Sequence, residues 1–155
     1  MSESYEVVLA QVAADDLHAL LERIEKNSQT FSGLAVSEEL GGVHSKGGNK
    51  ALIDSVITFD GDVCLTGLLT GLRISEAICL ALVLLRVIKH KGEVDVELSF
   101  DDAPSLDTGS VMLAMQKYAN ALSNNFNVKE FYGGLEPAAD ADTRYFTGSS
   151  FGPLS

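Results

Sequence analysis

The sequence predicts an α+β protein, a two-layer sandwich with a mixed or mostly antiparallel sheet and about three helices. Three observations lead there. Strand-like alternation and helical periodicity take turns along the 155 residues. The composition, 46% hydrophobic against 21% charged, is that of an ordered globule. A chain of this length also buries roughly two-thirds of its unfolded surface, enough for one core without staples. The expected organisation is a single domain over 1–155, with residues 136–155 as a docked C-terminal tail.

Residues 5–11 open with Tyr5, Val7 and Val8, types that suit a strand. Asp15 and Asp16 then supply an N-cap and first-turn negative charge, while Leu17, Leu20, Leu21 and Ile24 recur at helical spacing. This predicts a short amphipathic helix ending near Lys26, with Asn27 at the stop. Residues 30–36 read as a second strand. The stretch 38–50 holds four glycines and two lysines and reads as a connecting loop. It does not satisfy a phosphate-loop pattern. That pattern needs a lysine followed by Ser or Thr at a helix start, whereas Lys46 precedes Gly47 and Lys50 leads into a strand pattern.

Residues 51–59 alternate, with Ile53, Ser55, Ile57 and Phe59 on one face and Asp54, Val56 and Thr58 on the other, which predicts a strand. Asp60-Gly61 matches a tight hairpin, returning through 63–69. Ser75 and Glu76 open a helix whose apolar run from Ala77 to Leu85 marks it as central and buried. Arg86, Lys89, His90 and Lys91 gather in its last turn, where the helix dipole favours cations, and Gly92 suits a left-handed stop. The apolar run is far shorter than the roughly 20 residues of a membrane span.

Glu93-Val94-Asp95-Val96-Glu97-Leu98-Ser99-Phe100 then alternates acid with apolar residue. As a strand it places Glu93, Asp95 and Glu97 in a carboxylate row at intervals of about 6.6 to 6.8 Å, extended by Asp101 and Asp102. Pro104 interrupts the pattern. Thr108 or Ser110 can cap a third helix carrying Val111, Met115, Tyr118 and Leu122 on one stripe, which frays at Asn124-Asn125. Residues 127–132 read as the last main strand, and the tail beyond Gly133-Gly134 and Pro137 is expected to dock through Phe146 and Phe151.

Charge narrows the function. A formal net charge of −11 and a pI near 4.5 disfavour nucleic acid and anionic membranes and favour a basic protein partner. Met1 to Glu6 lacks the positive start of a secretory leader, so the expected compartment is the cytoplasm. Cys64 and Cys79 lack the close pairing of zinc sites and read as small core residues. His18, His44 and His90 have neither metal-ligand spacing nor a nucleophile elbow nearby, so no cofactor and no metal is expected.

The reading that results is a non-catalytic, acidic cytoplasmic protein that inhibits or neutralises a more basic protein. Small acidic inhibitors and immunity proteins share this physical character, although no family motif is present. The partner-binding residues are Glu93, Asp95, Glu97, Asp101 and Asp102, with Asp54, Asp60 and Asp62 as a secondary acidic group. One alternative is a small enzyme using a carboxylate or His44 in a dry pocket. Another is a homodimer or homo-oligomeric module built on Phe126, Phe131, Tyr132, Phe146 and Phe151.

Overall fold

The computed structural model describes residues 3–36, 48–102 and 105–154. Along the chain run β1 (Ser4–Val12), α1 (Ala14–Lys26), β2 (Thr30–Val36), α2 (Gly48–Thr58), β3 (Val63–Arg73), β4 (Cys79–His90), β5 (Glu93–Asp101), α3 (Thr108–Asn125), β6 (Val128–Leu135), β7 (Arg144–Thr147) and β8 (Ser150–Phe151). Among the described residues the eight strands make one sheet in the order β2-β3-β4-β5-β1-β6-β7-β8. Each neighbouring pair is antiparallel. The fold class is the α+β sandwich predicted above, with three helices as the second layer.

Because strand side chains alternate with a period of two, register decides what each face carries. The inner face runs Leu65, Val87, Val96, Leu9, Phe131 across five paired strands, and beside it Leu85, Leu98, Val7, Gly133 and Phe146. Leu17, Leu20, Leu21 and Ile24 of α1, Ile53 and Val56 of α2, and Val111, Met115, Ala119 and Leu122 of α3 join these in one core. Phe146 is fully buried over Gly133, where an added Cβ would lie 2.6 Å from its ring. The outer face carries Leu68, Leu82, Leu84, Arg86, Asp95, Glu97, Ser99, Glu6 and Tyr132. No helix among the described residues covers it. Over β1 and β6 that face is shielded by the stretch 136–143, where the Ala138 N–H donates to Glu6 Oε1 at 2.6 Å and Arg144 stacks on Tyr132 at 3.8 Å.

Two expectations about secondary structure are corrected. Of residues 51–59, all but Phe59 belong to α2 rather than to a strand, so Asp60-Gly61 joins helix to strand and forms no hairpin. The same residues satisfy either period. The helix buries Leu52, Ile53 and Val56 at a spacing of one and three, and Ser55 and Thr58 hydroxyls bond back to Ala51 and Asp54 carbonyls. Lys50 therefore lies within a helix, and residues 37–47, including most of the glycine-rich stretch and His44, lie outside the described residues.

Where a central helix is expected over 77–85, residues from Cys79 onward form strand β4. Short apolar runs fit both structures, and β-branched Val83, Val87 and Ile88 together with the turn that follows settle this one as a strand. Lys91 (φ 52°) and Gly92 (φ 80°) both take left-handed backbone, the pair a two-residue hairpin needs, so Gly92 closes a β4–β5 hairpin instead of a helix. Ser75 caps no helix; its Oγ accepts the Ala77 and Ile78 N–H groups in the β3–β4 turn.

Capping also differs in detail. The α1 N-cap is Ala13 without a side-chain bond, and Asp16 instead accepts the Asn127 N–H at 2.8 Å, tying the helix to the start of β6. In α3 the cap is Asp107, which accepts the Ser110 N–H at 3.0 Å. The basic cluster at 86–91 does not cap its own segment. Lys89 reaches from β4 to the end of α2, where its Nζ donates to the Ile57 and Phe59 carbonyls at 2.6 Å each. Replacing Lys89 by Met removes these charge-assisted bonds and is expected to cost about 2 kcal/mol, with amide exchange accelerating first in α2. Uniform exchange across the chain would contradict that local role.

Candidate binding face

The alternation of β5 holds in the structure. Val94, Val96, Leu98 and Phe100 point into the core, while Glu93, Asp95, Glu97, Ser99 and Asp101 line the outer face. Glu93 is exposed and accepts from Gln11 Nε2 at 3.2 Å. Asp95 is half-buried and accepts the Gln11 backbone N–H at 2.8 Å, at a residue whose φ of 53° swings that N–H toward it. Asp101 accepts from the Ser4 hydroxyl at 2.7 Å, and Asp102, one residue past the strand, from Thr108 Oγ1 at 3.2 Å.

Glu97 departs from an open row. Its Oε1 lies 3.4 Å from Arg86 Nη2, and the same guanidinium nitrogen lies 3.9 Å from Glu6 and 3.3 Å from Glu136. Arg86 also donates to Ser99 Oγ at 3.1 Å, while its buried Nε finds no partner among the described residues. One cation thus serves three carboxylates brought from β1, β5 and the turn after β6. Burial pushes the Glu97 carboxyl above its usual range, nearby Glu6 adds to the rise, and Arg86 opposes it.

The secondary acids split up. Asp62 sits beside the β4–β5 turn, where the Lys91 N–H and the His90 ring hold its carboxyl below the usual value. Asp60 is exposed between α2 and β3. Asp54 lies on α2 and contacts His18 of α1, on the helical layer and away from the β5 row. Of the aromatics considered for self-association, Phe131 and Phe146 are buried in the core and Phe151 is 63% exposed. Cys79 is exposed on β4, contrary to the buried role expected for it, and burial pushes the Cys64 thiol up.

Three features of this face are not visible in the sequence. Arg86 was assigned to a helix end, and Glu6 and Glu136 carried no signal because only the sheet order joins them to it. The outer leucines of β4 were hidden inside an apolar run. Reading Lys91-Gly92 as a hairpin turn before the acidic strand would have exposed both Arg86 and these leucines.

The helix-backed sheet with one open, acid-rich face is the form of a small protein-binding module. No group of metal-ligating side chains occurs among the described residues, and no helix among them is long and apolar enough to cross a membrane. The chain belongs to the PABL017 Cdi1I immunity protein family, which it matches over residues 3–151. It is also similar to a chain in the 1.75 Å crystal structure of the toxic C-terminal tip of CdiA from Pseudomonas aeruginosa in complex with immune protein. The two share 39% identity over 100% of each chain, with a TM-score of 0.92. No curated protein matches the chain.

Arg86→Met leaves Glu6, which is buried, and Glu97 without their cation. The expected loss is about 3 kcal/mol at pH 7, the low end for breaking a buried pair because Arg86 is 28% exposed; urea unfolding measures it. Glu97→Gln acts in the opposite direction. A carboxyl whose pKa rises on folding is penalised when charged, so that penalty grows as pH climbs through the raised value. The variant should melt above the wild type at pH 7, and the two should converge as pH falls below the ordinary carboxylate range. A lower melting temperature for the variant at pH 7 would show that the Arg86 pair outweighs burial.

Proposed function

We propose that this chain is a cytoplasmic immunity protein that binds a CdiA-type toxic tip and blocks it through the helix-free sheet face. Family membership supports the class of partner. The observation that carries the choice of face is its charge. Glu93, Asp95, Glu97 and Asp101 share one side of β5, and of the cations on this face Arg86 is already divided among Glu6, Glu97 and Glu136 while Arg144 stacks on Tyr132. The surplus is negative and suits a basic surface on the tip. Asp102 extends this row, Asp62 adds to it by its contacts with the β4–β5 turn, Asp60 lies exposed two residues before Asp62, and Asp54 sits on α2 in the helical layer.

A rigid sheet presenting carboxylates at strand spacing steers a basic partner and sets its register without any covalent chemistry. The acids then occupy the region a basic active groove reserves for its anionic substrate. Mixing the purified chain with the Pseudomonas aeruginosa CdiA tip tests this. A complex is expected whose association slows roughly tenfold when Glu93, Asp95 and Asp101 become Gln, Asn and Asn, and slows as salt rises. The melting temperature of the triple variant should stay close to the wild type, since these side chains keep their acceptor oxygens. A wild-type chain that forms no complex sinks the reading, and unchanged association in the variant moves the contact to another face.

A further inference from the structure

The uncovered part of the outer face is not uniformly polar. Leu82 is 56% and Leu84 38% exposed, and Leu68 pairs directly with Leu84 across β3 and β4, so three leucines stand together where an alternating strand would present polar residues to water. Leu72 and Leu80, farther along the same pair, are instead buried, a change of facing that coincides with the left-handed backbone of Gly71 (φ 60°). The leucines floor a groove of about 530 Å³, which is within the roughly 300–1,000 Å³ span of ligand pockets. Large apolar groups in a concave, polar-rimmed site mark a contact surface.

The rim settles the charge of the occupant. Asp101 and Asp102 stand at one end, bonded to the hydroxyls of Ser4 and Thr108, and neither has an ion-pair partner among the described residues. Glu136 and Arg86 stand at the other, where the guanidinium is shared by three glutamates. The groove is therefore apolar below and negative above. An anionic lipid or a nucleic acid is repelled by it. A second copy would set one acidic rim against another across a two-fold axis, in a chain of net charge −11.

We infer that this groove is the anchor socket for a partner segment in which an aliphatic side chain is flanked by lysine or arginine. The aliphatic group seats on Leu68, Leu82 and Leu84, and the cation meets Asp101 and Asp102. The inference rests on the function proposed above for the partner's identity, the CdiA tip, but its chemistry is this groove's own.

Two measurements separate the two ideas. In the first, the CdiA tip is titrated with the wild type, with Leu82→Asp, with the packing-neutral double variant Asp101→Asn and Asp102→Asn, and with Lys117→Gln on the helical layer. Leu82→Asp should weaken binding at least about 30-fold, the double variant about tenfold with a flatter salt dependence, and Lys117→Gln within about twofold. In the second, the leucine methyl resonances of the wild type are followed while the peptides acetyl-Lys-Leu-Lys-amide and acetyl-Glu-Leu-Glu-amide are added. The basic peptide should move the Leu68, Leu82 and Leu84 methyls, and the acidic one should not.

If the tip binds and both groove variants bind as the wild type does, the socket is overturned while the function stands. If the tip does not bind but the basic peptide shifts those methyls, the partner reading falls and the socket stands. Failure of both tip and peptide removes both. A wild-type dimer that Leu82→Asp dissolves overturns the socket in favour of self-association.

Discussion

Arg86 stands between carboxylates from three separate stretches of chain, and the character of the helix-free face follows from that ratio of one cation to three anions. Glu6 comes from β1, Glu97 from β5 and Glu136 from the turn after β6, so the guanidinium ties together strands that are remote in sequence. In a half-buried site, unpaired carboxylates would repel each other and resist desolvation. One planar fork relieves part of that cost and leaves a net negative field directed outward. The remaining acids of β5 are held by neutral donors, Gln11 and Ser4, which orient them without cancelling their charge.

The sheet divides labour between its two faces. All three helices pack on one side, where the strands contribute apolar rows, and the stretch 136–143 folds back over β1 and β6 on the other. Among the described residues, what stays open is the outer side of β3, β4 and β5. None of these three is an edge strand, and their inner side is backed by the main core, so the surface they present is well supported. A surface held this way loses little conformational freedom on contact, which favours tight and oriented association.

The acidic strand was legible because its alternation is strict: four apolar residues at even positions from 94 to 100 and acids opposite them leave a single way to face a core. Strand β4 was not, because Leu82 and Leu84 break that rule. They make residues 79–85 apolar on both faces, a pattern shared by a buried helix. Local rules tend to fail at functional surfaces, and here the failure coincides with the groove. Residues 48–58 failed for another reason. Ile53, Val56 and Ile57 suit a strand or a helix equally, and the choice was made by α1 and by Lys89 closing the helix end. The alternation of residues 93–101 shows which side of β5 its acids share, whereas Arg86, Glu6 and Glu136 cannot be joined without the strand order.

By itself the sequence determined the balance of charge, the α+β class, the first and last helices, and the side of β5 on which its carboxylates lie. These depend on composition and on periods of two and 3.6, which are local properties. Tertiary structure decided which acids share a cation, which leucines stay in water, and which half of the outer face remains open. Those outcomes depend on register between strands far apart in the chain, and register is set only when the core strands bury their apolar rows against the helices.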